Sequence, residues 1–130
     1  MKIKMALDKF EDLKGHILKK VVGKIGGDQV LFELDNGEKY GLQHADDCCE
    51  SVDIEDICGN LDDLIGLPIL LAEESTNSEK HPDGVILEYE PESFTWTFYR
   101  LQTEKGFVTI RWYGTSSGYY SESVSFNALD

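Results

Sequence analysis

Apolar and polar residues alternate at period two along much of this chain, and that alternation predicts strands. Gln29–Leu34 is the cleanest early case, with Val30, Phe32 and Leu34 sharing one face. Asp35-Asn36-Gly37 follows, and Asn-Gly predicts a type I′ hairpin turn because both residues accept positive φ. Residues 38–44 then read as the returning strand. Ahead of this hairpin, residues 17–22 are rich in β-branched side chains and stop at Gly23. The first fifteen residues differ. Ile3, Met5, Leu7, Phe10 and Leu13 sit among charges. Their spacing is helical in the second half, so 1–15 predicts a short helix or a docked arm.

The middle of the chain predicts a strand over 51–57, with Val52 and Ile54 on the same side. Asn60 is placed to N-cap a single helical turn over 61–65, whose early acids suit the helix dipole. Gly66 and Pro68 end that turn. Residues 69–74 predict another strand, and 76–82 a polar, mobile loop. The last third predicts an antiparallel meander: strands over 94–101, 107–113 and 119–126, with turns at 104–106 and 114–118. Phe94, Trp96 and Phe98 share a face of the first of these, Val108, Ile110 and Trp112 a face of the second, and Tyr120, Val124 and Phe126 a face of the third. The other face of the last two carries Thr109, Arg111, Tyr113, Tyr119, Ser121 and Ser123. The predicted fold is therefore α+β but mostly β: an N-terminal hairpin and a C-terminal three-stranded meander with one or two short helices.

At 130 residues the chain is expected to be one domain with a core of its own. No apolar run approaches the ~18 residues of a membrane span, and the N-terminus lacks the apolar stretch of a signal peptide. The net charge of −13 disfavours direct binding to nucleic-acid phosphates. Charge is also unevenly spread. No Lys or Arg lies between Lys39 and Lys80, while ten acids fall between Asp46 and Glu74. That run is either a solvated face or a docking surface for a basic partner. Three cysteines, two of them adjacent, do not make a secreted disulfide framework, so a cytoplasmic setting is expected.

Segment 44–58 holds all three cysteines, one of three histidines and six carboxylates. His44, Cys48, Cys49 and Cys58 offer zinc the right atoms. The spacing offers little support, since no C-x₂-C pair is present and His44 and Cys48 would lie ~13 Å apart in an extended chain. Asp46, Asp47, Glu50, Asp53, Glu55 and Asp56 offer oxygen ligands to calcium or magnesium, without the EF-hand pattern. The plain alternative has the cysteines as small apolar side chains and the carboxylates accepting backbone N–H groups in a turn. Thus no cofactor is required, and a divalent metal is admissible. A second candidate patch lies in the meander, which holds the chain's two arginines, Arg100 and Arg111. Arg111 could clamp a phosphate or carboxylate while Trp112, Tyr113, Tyr119 or Tyr120 stacks on a ring. It could equally pair a carboxylate from the acidic segment 46–56.

Six segments carry a resemblance: Asp-Cys-Cys-Glu-Ser-Val (47–52), Ile-Glu-Asp-Ile-Cys-Gly (54–59), Leu-Asp-Asp-Leu-Ile-Gly (61–66), Thr-Trp-Thr-Phe-Tyr (95–99), Thr-Ile-Arg-Trp-Tyr-Gly (109–114) and Ser-Gly-Tyr-Tyr-Ser-Glu (117–122). Together they resemble a domain of unknown function found in small proteins of bacteriophages and bacterial genomes. The resemblance runs from about residue 14 to residue 126. It implies an intracellular, phage-type accessory role and assigns no catalytic residues. The expected function is a non-enzymatic accessory protein that recognises a host protein or sequesters a small, anionic, nucleotide-like ligand. The competing expectations are a metal-dependent hydrolase centred on 44–58 and a self-assembling protein that pairs strand edges as a homo-oligomer.

Overall fold

The structure, a computed structural model, describes residues 6–46 and 48–129. Alternating strands that each bury one face need a facing layer, and here two sheets supply it for each other. Strands β1 (Leu18–Val22), β2 (Gln29–Leu34), β3 (Lys39–Gln43) and β8 (Ser125–Leu129) form one antiparallel sheet in the order β1-β2-β3-β8. Strands β4 (Ser51–Cys58), β5 (Leu71–Asn77), β6 (Ser93–Thr103) and β7 (Gly106–Ser116) form the other, in the order β4-β7-β6-β5. The mostly-β, antiparallel architecture is as expected, and among the described residues the helical content reduces to two 3-10 turns, Phe10–Leu13 and Leu61–Leu64. Asn60 caps the second turn as its position implies, its side chain accepting from the Asp62 N–H at 2.9 Å. The arm expected over 1–15 is described only from residue 6. There Phe10 plugs the space between the sheets, its ring 6.2 Å from Phe32 and 4.7 Å from Tyr99.

Both sheets contribute to one core. Leu18, Val30, Phe32, Leu34 and Leu42 come from the first, and Ile54, Tyr99, Leu101, Val108, Ile110 and Trp112 from the second, all essentially buried. Full burial of Trp112 removes on the order of 200 Å² from water, roughly 5 kcal/mol before entropic offsets. Two backbone seams join the layers. Gly26 N–H donates to the Ile54 carbonyl at 2.7 Å and Ile54 N–H to the Gly27 carbonyl at 2.8 Å, while isolated bridges link Ile17 to Pro68 and Leu18 to Ile65.

Two expectations need correction. The hairpin at 35–37 is not type I′, because only Gly37 has positive φ, at 91°, and Asn36 does not. It is a three-residue loop, with Gly37 N–H on the Leu34 carbonyl and Leu34 N–H on the Glu38 carbonyl. The C-terminal meander stops at two strands. Strand β7 is paired on one edge by β6 and on the other by β4, so no edge is left for a third. Residues 117–124 instead cross to the opposite sheet, where β8 pairs with β3. Phe94, Trp96 and Phe98 do share a face of β6, and the pairing assigns which face that is. Thr97 lies opposite Trp112 and Tyr99 opposite Ile110, so Thr97, Tyr99 and Leu101 face the core. Phe94, Trp96 and Phe98 lie on the back of the sheet.

Glycine is required where the second sheet is tightest. At Gly59, with φ 105°, a Cβ would collide with the Phe107 carbonyl oxygen. At Gly114 a Cβ would lie 2.9 Å from the Glu122 carbonyl oxygen and 3.1 Å from Val52. Gly114 is the point where the crossing segment is laid directly on β7. Glu122, 7% exposed, is held there by the hydroxyls of Thr95 at 2.8 Å and Ser116 at 2.5 Å.

Candidate functional site

Strand pairing places Trp96 opposite Tyr113 and Phe98 opposite Arg111 on the back of the second sheet. The back face is therefore aromatic where a one-sided sheet would be polar. The irregular segment 78–92 covers it, fastened by His81. The His81 ring stacks on Phe94 with centroids 3.9 Å apart. Trp96, 1% exposed, donates its indole N–H to His81 Nδ1 at 2.9 Å. An indole nitrogen is donor only, so His81 Nδ1 must accept. Its Nε2–H then donates to Glu90 Oε1, also at 2.9 Å. Trp96 stacks in turn on Tyr113, with centroids 4.3 Å apart. Burial raises the pKa of the Tyr113 phenol, with the nearby Glu90 and Glu122 charges adding to it.

Between this segment and the sheet runs a groove of about 440 Å³. Its floor is Ser51, Asp53, Glu55, Tyr113 and Thr115, and its wall is Ile86, Leu87, Glu88, Tyr89 and Pro91. Ile86 and Tyr89 stand 95% and 77% exposed on the rim. Among the described residues, no Lys or Arg lines it. Arg111 lies beside it but is committed elsewhere. Its Nε and a terminal nitrogen donate to the two Glu55 oxygens at 2.7 and 2.9 Å, with Asp56 4.0 Å away. Its guanidinium also lies 5.3 Å from the Trp96 ring centre. The Glu55 hydrogen bonds hold the Arg111 pKa above its usual range, although burial opposes them. Arg111 thus takes the carboxylate partner that the acidic segment offered.

The second candidate region lies where β3, β4 and the crossing segment meet. His44 Nδ1 is 2.7 Å from the Ser123 carbonyl oxygen, and Nε2 is 2.9 Å from Glu50 Oε1. A carbonyl accepts only, so Nδ1 carries a proton. The proton between Nε2 and the carboxylate then makes the pair imidazolium and carboxylate. Burial alone would lower the His44 pKa. The Glu50 hydrogen bond, the Ser123 carbonyl and the charges of Glu50 and Asp46 outweigh it, and the net direction is up. The His44 and Glu50 side chains are 4% and 1% exposed. Cys48 N–H donates to the other Glu50 oxygen at 3.2 Å.

The residues singled out from sequence therefore divide. His44, Asp46 and Glu50 come together, with ligand atoms within 4.8 Å of one another. Cys48 and Cys49 are joined to each other as a disulfide, so their sulfurs are not thiolate ligands. Cys58 is exposed at the opposite end of β4 from this cluster. Glu55 and Asp56 turn to Arg111, and Asp47 lies outside the described residues. In the other patch, Arg111 and Tyr113 share the back face. Trp112 is buried in the core on the opposite side of the sheet, and Tyr119 is exposed beyond it. Tyr120 lies in the crossing segment, where its carbonyl accepts from Ser116 at 3.4 Å. His81, Trp96 and the 86–91 wall were not anticipated. Their signal is the length of unpatterned chain at 78–92, since long irregular connections in compact domains are commonly functional.

Two antiparallel four-stranded layers around one core, with an acid-lined aromatic groove behind one layer, define a two-layer β domain. The family model described as "Domain of unknown function (DUF7448)" matches residues 11–126, and the chain belongs to that family. No curated protein and no solved structure matches the chain. No described helix is long and apolar enough to cross a membrane.

Proposed function

We propose that this protein is a non-enzymatic accessory binding protein, of the phage-encoded cytoplasmic kind, whose back-face groove takes a basic segment of a host protein. The observation that carries the reading is the lining of the groove. Asp53, Glu55 and Glu88 supply negative charge, while Tyr89, Tyr113, Ile86, Leu87 and Pro91 supply apolar and aromatic surface. Carboxylates beside aromatic faces favour guanidinium and ammonium groups carried on apolar stems. A phosphate would meet no cation among the described lining residues, which favours a basic segment over a nucleotide. The net charge of −13 would steer such a partner toward the surface.

The test is calorimetric titration with a short peptide alternating arginine and leucine. Wild-type protein should bind it saturably, and binding should weaken as salt shortens the Debye length to about 3 Å at 1 M. The double substitution Asp53→Asn with Glu88→Gln should weaken it by at least about tenfold, ~1.4 kcal/mol, with no change in melting temperature. Absence of saturable binding, or equal affinity in the double variant, would sink the proposal.

A further inference from the structure

The groove leaves the His44 cluster unused. We propose that His44 Nε2, Asp46 and Glu50 form a site for one divalent transition-metal ion of the zinc or manganese type. Their ligand atoms lie within 4.8 Å of one another. Bonds of about 2.1 Å in a tetrahedron place ligand atoms ~3.4 Å apart, so Asp46 needs to close by little more than about 1 Å while the His44–Glu50 pair, now at 2.9 Å, opens by about 0.5 Å. Asp46 can do so, because it is exposed on the loop between β3 and β4. The other two ligands are already held. The Ser123 carbonyl, outside the cluster, fixes His44 with Nδ1 protonated and Nε2 aimed inward. That is the supporting bond metal-bound histidines commonly make. The Cys48 N–H does the same for Glu50.

Nε2 and Glu50 Oε1 face each other at 2.9 Å while nine-tenths buried. Two lone pairs do not rest so in a buried place unless a positive species lies between them. In the metal-free protein a proton fills that role; an ion bonded to both atoms at about 2.1 Å would displace the proton and open the pair to ~3.4 Å. A cavity of about 260 Å³ opens onto His44 and Asp46, lined also by Asp28, Gln29 and Gln43. It gives an ion a polar path inward and leaves room for water at the remaining positions. One imidazole nitrogen and two carboxylates suit zinc or manganese. Calcium favours six to eight oxygen ligands.

The experiment uses the whole chain, freed of metal by chelator and kept non-reducing, titrated with Zn²⁺ and with Mn²⁺ by calorimetry and by melting temperature. One ion per chain should bind and raise the melting temperature. Asp46→Asn should weaken uptake by at least about tenfold. It should leave the metal-free melting temperature unchanged, because Asp46 is exposed. His44→Gln should abolish uptake, and the Asp46 variant keeps the test decisive if His44→Gln fails to fold. Replacing both Cys48 and Cys49 by Ser should leave uptake intact. Absence of saturable uptake of both ions, uptake unchanged in Asp46→Asn, or uptake lost with the cysteines would each overturn the proposal.

Discussion

The two sheets have the same strand count and the same antiparallel pairing, yet they treat their outer faces differently. The sheet β1-β2-β3-β8 is built of strands five or six residues long and leaves its outer face to solvent, with Lys19, Lys20 and Val22 exposed. The sheet β4-β7-β6-β5 contains two eleven-residue strands. It buries aromatic surface on both sides, with Trp112 toward the core and Trp96 toward segment 78–92. A single buried face is enough to hold an antiparallel sheet. The second layer behind Trp96 is therefore not required by the fold, and it is the one that encloses a groove.

Truncation should separate the layers most strongly. Trp112→Ala should destabilise by about 3–5 kcal/mol, as large-to-small changes in a filled core do. Trp96→Ala should lose less, about 2–3 kcal/mol, because segment 78–92 can close on the gap. Urea denaturation measures both, and an undiminished stability after Trp96→Ala would show that the back face is not a second packed layer. Next in size is Gly114→Ala, expected to lower stability by about 1–3 kcal/mol by pushing the crossing segment off β7.

A smaller effect compares one ion pair from each sheet. Arg111 and Glu55 make a bidentate, partly buried pair. A double-mutant cycle on them should give a coupling of about 1 kcal/mol. Lys19 and Glu33 lie 3.7 Å apart, with the lysine side chain 68% exposed. The same cycle on that pair should fall within about 0.5 kcal/mol of zero. Equal couplings would erase that difference between the sheets.

The smallest effect is on pH dependence. The His44 pKa is raised in the folded protein, so its pairing with Glu50 stabilises fully below the unfolded value of about 6.5. That contribution is lost as pH rises through the folded value. Metal-free protein should therefore lose stability upward from about pH 6.5, and His44→Gln should remove that part of the slope. A wild-type profile unchanged by His44→Gln would contradict the pairing.

Strands β2, β3, β6 and β7 are legible in the alternation of their side chains and in the Gly-bearing turns between them. The cap at Asn60 is legible too, because Asn followed by acids suits the start of a helical turn. What alternation cannot supply is the partner of a strand. Ser125–Leu129 could pair with its neighbour in sequence or with β3, far earlier in the chain, and periodicity is the same in both cases. The faces of β6 were ambiguous for a related reason. Phe94, Trp96 and Phe98 alternate with Thr95, Thr97 and Tyr99, and a strand buried on both sides blurs the inside–outside signal. The pairing of Arg111 with segment 46–56 was readable from the scarcity of arginine in so acidic a chain. The groove was not, because its wall at 86–91 belongs to no periodic element and is set by His81, a single side chain reaching Trp96.

Hydrogen–deuterium exchange with and without an excess of the arginine–leucine peptide tests the central claim most directly. Exchange should slow in residues 51–55, 86–91 and 113–115 and stay unchanged across 18–43, the β1-β2-β3 face. Slowing confined to 18–43, or no slowing at all, would contradict the assignment of binding to the groove.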